Sequence, residues 1–189
     1  MNIVIDNEVW CELEVENCVC QYKFLLLNIP CYIGGHKQTG YGDDYWQHNW
    51  REVPPEVVKG EIFCDSDHDA KQCASSIQEL IENGYRDRSN GWLVGMDMGD
   101  IFMQFNGKPM NFLYKSFTES LADTSLKYIQ KRLKNASEVC CFLVCPEKDV
   151  RLDEIDIVFN KISPNGDAKM IWQFCLSAEI DRKVNVWYR

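Results

Sequence analysis

From Asp6 to Glu16 the side chains alternate without a break, with Asn7, Val9, Cys11, Leu13 and Val15 on one parity and Asp6, Glu8, Trp10, Glu12, Glu14 and Glu16 on the other. A period of two puts the sets on opposite faces of an extended chain, so the stretch reads as a strand with one face buried and one acidic face in water. The next apolar run, Val19 to Ile29, reads as a more central strand, and the polar Glu16-Asn17 step between the two as a turn. A hairpin with one acidic face is therefore expected near the start of the chain.

Residues 30–58 differ in character. Pro30, Gly34, Gly35, Gly40, Gly42, Pro54 and Pro55 punctuate a stretch holding Tyr41, Tyr45, Trp46 and Trp50, which reads as a long aromatic-rich loop or insert. Within it Asp43 or Asp44 is placed to cap a short helix with Trp46 and Trp50 four residues apart on one side. A longer helix follows, capped at Asp65, Ser66 or Asp67, running from Ala70 to Asn83 with Cys73, Ile77, Leu80 and Ile81 inward, and closed by Gly84.

Trp92 to Met96 and Ile101 to Phe105 read as strands, and Asn106-Gly107 before Pro109 to Tyr114 as a hairpin turn. A second helix is expected from Ser116 or Thr118 to Ala136, with Ala122, Leu126, Ile129 and Leu133 inward and Lys127, Lys131 and Lys134 outward. Val139 to Cys145, Ile155 to Ile162 and Ala168 to Leu176 read as strands, with Val184 to Tyr188 a final one. The sum is a single α+β domain over residues 1–189, a mainly antiparallel sheet with two principal helices packed on it.

A chain of 189 residues with 46% hydrophobic side chains buries a normal core without disulfides. The N-terminus has no cationic stretch followed by an apolar one, so no secretory signal is expected. The longest apolar runs, Phe24 to Leu27 and Val139 to Cys145, fall far short of the roughly 20 residues of a membrane helix, so no membrane partner is expected. A cytoplasmic location follows, and the ten cysteines read as free, mostly core-packing thiols. The net charge of −9 is regional: residues 1–70 hold 13 Asp/Glu against 4 Lys/Arg, and residues 71–189 hold 16 of each. Such acidity repels phosphate backbones and steers basic proteins inward, so direct nucleic-acid binding is not expected.

No spacing in the chain names a reaction. It has no Gly-x-Ser-x-Gly elbow and no phosphate-cradling loop ending in Lys-Thr, and no catalytic residue, metal ligand or cofactor is assigned. Asp65-Ser66-Asp67-His68-Asp69 starts like a calcium loop, but Ala70 stands where glycine is needed and Ser76 where a bidentate glutamate is. The alternative reading is a divalent-metal-dependent hydrolase using Asp65, Asp67, His68 and Asp69, weighed against simple helix capping. Cys64, His68 and Cys73 have zinc-like spacing but lack a fourth ligand.

The acidic strand and the aromatic loop remain. Glu8, Glu12, Glu14 and Glu16 suit a solvated or aggregation-guarded face, and Tyr41, Tyr45, Trp46 and Trp50 suit anchors of a loop on a core. Together, carboxylates for steering and aromatics for hot spots describe a protein-binding surface rather than an enzyme. In overall profile, small, acidic and poor in motifs, the chain resembles the immunity proteins of bacterial toxin systems, including contact-dependent growth inhibition. The resemblance implies a protein that binds and neutralises a cognate basic toxin domain, commonly a nuclease. Glu12, Glu14, Glu16, Asp43 and Asp44 would then meet toxin lysines and arginines, while Tyr45, Trp46 and Trp50 fill pockets. A carbohydrate platform of Trp46 and Trp50 is a third reading, resting on residue types alone.

Overall fold

A computed structural model describes residues 1–5, 7–25, 30–32, 50–52, 57–86, 92–94, 105, 108–117, 126–149, 152–162, 168–178 and 181–189. The hairpin expected from the alternation is present: β2 (Glu8–Glu16) and β3 (Val19–Leu25) pair antiparallel, with Cys11 opposite Phe24 and Glu16 opposite Val19. Cys11 and Leu13 are buried while Glu14 and Glu16 are exposed, as a period of two requires. The alternation does not hold at its start. An unexpected strand β1 (Asn2–Ile5) lies against β2, and the register slips there: Ile3 faces Cys11, but Val4 faces Val9. Trp10 is the extra residue of a bulge, which moves Val9 off the buried parity to a position opposite the exposed Val4.

The turn of the hairpin has both central residues in the left-handed region, Asn17 at φ 51° and Cys18 at φ 62°. Two-residue hairpin turns of this kind match the twist of their strands, and they favour Asn first and Gly second. Cys18 therefore sits where a Cβ is unwelcome. Its backbone is well held: its N–H donates to Asp67 Oδ1 at 2.7 Å, and its carbonyl accepts from Cys64 N–H at 2.9 Å. Cys18→Gly keeps both bonds and removes the left-handed penalty, so it is expected to stabilise by about 1 kcal/mol, raising a calorimetric midpoint by roughly 2–4 °C. An unchanged or lower midpoint would show that the turn carries no such strain.

Further along come β6 (Val57–Phe63), α1 (Asp67–Arg86), β7 (Trp92–Val94), β8 (Met110–Phe117), α2 (Lys127–Leu133), β9 (Glu138–Pro146), α3 (Leu152–Ile162), β10 (Lys169–Ser177) and β11 (Arg182–Tyr188). Among the described residues β1-β2-β3-β6-β8-β11-β9-β10-β7 form one nine-stranded sheet, and β4 (Pro30–Tyr32) and β5 (Trp50–Glu52) a separate two-stranded ribbon.

The α+β class holds, but the sheet is mixed rather than mainly antiparallel: β6 and β8 run parallel, and so do β9 and β10. Parallel neighbours need a crossover, and helices supply it, α1 between β6 and β8 and α3 between β9 and β10. The second of these corrects the strand expected at 155–162. Ile155, Ile157 and Phe159 alternate like a strand, but Glu154, Val158 and Ile162 are buried at i, i+4 and i+8. Asp153 and Glu154 in the first turn and Lys161 in the last also suit a helix dipole.

The other helices are nearer expectation. Ser66 is the cap of α1, its Oγ accepting the Asp69 N–H at 3.1 Å and donating to Asp69 Oδ2 at 2.7 Å, and the helix runs on past Gly84 to Arg86. α2 buries Ile129 and Leu133, with Leu126 buried at its cap, and exposes Lys127, Lys131 and, just past its end, Lys134 as read; Thr118 and Ala122 lie outside the described residues, and Ser116 belongs to β8. Of the strand expected at 101–105 only Phe105 is described, and it is helical. The Asn106-Gly107 turn lies outside the described residues.

Two cores lie back to back across the sheet. Cys140, Phe142 and Val144 of β9 join the cluster under α1, with Tyr22, Phe24, Phe105, Phe112 and Trp187. Val139, Cys141, Leu143 and Cys145 join the opposite cluster, under α2 and α3. That is why the whole run 139–146 is buried. α1 thus covers one face, and α2 and α3 cover the other face of β8, β11, β9 and β10. No described helix covers that second face over β2, β3 and β6, where Glu14, Glu16, Gln21, Lys59, Glu61 and Phe63 are all exposed.

Candidate functional site

The uncovered half-face is laid out by register. Its rows run Glu12–Lys23–Lys59, then Glu14–Gln21–Glu61, then Glu16–Val19–Phe63 at the end nearest the hairpin turn. Cross-strand neighbours on one face interact directly, and the first row is charge-compensated: Lys23 Nζ lies 2.9 Å from Glu12 Oε2. The second and third rows carry three carboxylates and no lysine. Gln21 Nε2 donates to Glu61 Oε1 at 3.4 Å, and Phe63 stands 44% exposed beside them.

The acidity of this end is deepened by the start of α1. Because Cys18 N–H donates to Asp67 Oδ1, the hairpin turn just beyond Glu16 is pinned to the segment Asp65–Asp69. Two acidic features some 50 residues apart in sequence thus share one end of the sheet. Helix α2 flanks it. Arg132 Nη2 and Nη1 reach Asp65 Oδ1 and Oδ2 at 3.1 and 3.2 Å, Arg132 Nε donates to Tyr188 Oη at 3.1 Å, and Tyr128 Oη donates to Asp65 Oδ2 at 3.1 Å. The Arg132 guanidinium holds the Asp65 carboxyl below its ordinary range. Tyr128, 55% exposed, is a second accessible aromatic at this end.

A groove of about 1120 Å³ is lined, among the described residues, by Glu12, Glu14, Gln21, Lys23, Lys59 and Glu61 and by Lys71, Ala74 and Ser75 of α1, with neighbours in β1 to β3. Its lining sets Lys23, Lys59, Lys71 and the Met1 ammonium against Glu12, Glu14 and Glu61, so the groove as a whole is not acidic. The acidic character belongs to the turn end.

Of the residues singled out in the sequence, Glu12, Glu14 and Glu16 share a face as expected, but Glu12 is engaged by Lys23. Asp43, Asp44, Tyr45 and Trp46 lie outside the described residues. Trp50 opens β5, which corrects the helix expected to carry it. The carboxylates of Asp65, Asp67 and Asp69 turn to Arg132, the Cys18 amide and the Ser66 cap respectively. Among the described residues no three His, Cys, Asp or Glu side chains could hold a metal ion, so the hydrolase reading has no geometry behind it. Glu61, Phe63 and Tyr128 went unread. Lys59, Glu61 and Phe63 alternate with Val58, Gly60 and Ile62, a strand signal obscured by the proline-rich stretch before it.

No family model matches the chain, and the comparison with curated proteins gives no match. Among solved structures it is similar to an FtsZ dimer of M. jannaschii, at 15% identity and a TM-score of 0.49 over 63% of this chain and 37% of that one. A helical model of the TubZ-Bt four-stranded filament gives 13% and 0.46 over 65% and 34%. GDP-form protofilaments of TubZ from Bacillus thuringiensis serovar israelensis give 12% and 0.46 over 65% and 36%. The chain spans between 34% and 37% of the length of these proteins. The expectation that the chain is not an enzyme finds no support in these comparisons, whose solved structures are of FtsZ and TubZ. At TM-scores below 0.5 the likeness says nothing of what this chain itself binds or turns over. No described helix is long and apolar enough to cross a membrane.

Proposed function

We propose that this chain is a cytoplasmic immunity protein that binds and neutralises a basic toxin domain, commonly a nuclease, through the turn end of its half-uncovered sheet. The observation that carries the reading is the convergence of Glu14, Glu16 and Glu61 with the acidic start of α1 around the exposed Phe63. Carboxylates so placed attract a basic surface over long range and can stand where nucleic-acid phosphates would sit. An exposed aromatic among them supplies the apolar anchor that charge alone does not. The partner is protein, because a phosphate backbone would meet like charge here.

Calorimetric titration into the basic toxin domain encoded beside its gene is the test. A dissociation constant below about 1 μM is expected, with a several-fold loss as salt rises from 50 to roughly 200 mM. Absence of sub-micromolar binding to every such domain would overturn the proposal.

A further inference from the structure

Three thiols meet where β3, β6 and α1 join. Cys73, fully buried on the first turns of α1, shares one core cluster with Cys20 on β3, and Cys64 just beyond β6 packs against that cluster from its rim. Trp187 Nε1 donates to Cys73 Sγ at 3.4 Å and holds that sulfur in place. Cys20 and Cys73 are closed to solvent, and Cys64 is the half-buried member of the trio. Its backbone N–H is held by the Cys18 carbonyl, so its position is set by the same turn that gathers the acidic residues.

We propose that Cys64 and Cys73 form a disulfide when the protein meets a peroxide. Cys64 is where the oxidant enters: its thiolate attacks a peroxide oxygen, the O–O bond breaks, the distal oxygen leaves as water or alcohol after taking up a proton, and Cys64 becomes a sulfenic acid. Cys73 Sγ then displaces the sulfenic oxygen. The S–S bond forms, and that oxygen leaves as water with the Cys73 proton, the two thiols having lost the two electrons the peroxide gained. Burial pushes the Cys73 thiol well above its ordinary pKa, which suits a resolving partner that waits for Cys64 rather than reacting with peroxide itself. The bond closes a short loop around the Ser66 cap and ties the start of α1 to the end of β6.

Peptide mapping of the full chain after a peroxide pulse, alkylation under denaturing conditions and non-reducing trypsin digestion separates the outcomes. Cleavage after Lys59, Lys71 and Arg86 puts Cys64 on residues 60–71 and Cys73 on residues 72–86, while Cys11, Cys18 and Cys20 fall within residues 1–23. The expected result is a linked pair of the 60–71 and 72–86 peptides, two hydrogens lighter than their sum and absent after reduction. With Cys64→Ser, a change at a half-buried position, the link should vanish and Cys73 should stay alkylatable. Linkage of 60–71 to 1–23, or oxidation of Cys64 to higher acids with Cys73 still free, would overturn the proposal.

Discussion

Replacing Arg182 with alanine is expected to cost about 3–5 kcal/mol, the usual loss when one partner of a buried ion pair is removed, and to lower the thermal midpoint by roughly 10 °C or more. Arg182 and Glu154 are each 2% exposed at the side chain, with Nε 2.7 Å from Glu154 Oε2, while Nη2 reaches the exposed Asp149 carboxylate at 2.7 Å and its carbonyl at 2.9 Å. Burial works against the guanidinium's charge, but the two carboxylates outweigh it and hold its pKa above the ordinary value. The alanine variant leaves the Glu154 carboxylate buried without its guanidinium, and that desolvation, more than the lost attraction, makes the change costly. The paired change Arg182→Met with Glu154→Leu should therefore recover most of the loss in a urea titration. If the single variant matches the parent in midpoint, the pair is not the link between β11 and α3 described here.

Gly60→Ala is the other large effect. The glycine lies opposite Tyr22 across the β3–β6 ladder, and Tyr22, 2% exposed, lays its ring over it: a Cβ on residue 60 would stand 2.7 Å from Tyr22 Cζ. The ring cannot swing aside. Its hydroxyl donates to the Phe105 carbonyl, and its face packs on Phe24 and Phe105 at centroid distances of 4.9 and 5.6 Å. Burial pushes the Tyr22 hydroxyl up to about 12, so it stays a donor at any ordinary pH. One methyl here forces the tyrosine off its bond and out of its aromatic cluster, an overpacking penalty of about 3 kcal/mol. In a Tyr22→Phe background the penalty should shrink without vanishing, because Cζ remains close after the hydroxyl is gone. A Gly60→Ala protein with the parent's midpoint would contradict the packing.

How far the fold was legible depended on the range of the information. Val139 to Cys145 could be read as a strand because seven consecutive apolar residues suit burial on both faces, and Cys11 and Leu13 because alternation is local. The parallel pairings were not legible, since nothing in Val139 or Met170 taken alone says that they lie side by side. Missing those pairings led to reading Ile155 to Ile162 as a strand, because only the need for a crossover decides between its two periodicities. β6 is hidden in the sequence by the proline-rich stretch before it and by Gly60, which lies under Tyr22 and interrupts its apolar face. The candidate site shows the same division. Glu14 and Glu16 could be read from the strand, whereas Glu61, Phe63 and Asp67 join them only through cross-strand register and the Cys18 amide.

The most direct test of the binding account is the affinity for the cognate basic domain after Glu14, Glu16 and Glu61 are all changed to lysine, measured beside a control carrying Glu147→Lys, Asp153→Lys and Asp156→Lys, which lie on exposed positions in and near the first turns of α3. Both variants shift net charge toward positive, so only location separates their effect on the interface. The account predicts a loss on the order of 100-fold for the first and less than about threefold for the second, with both proteins folded. Equal affinities for the two variants would contradict it.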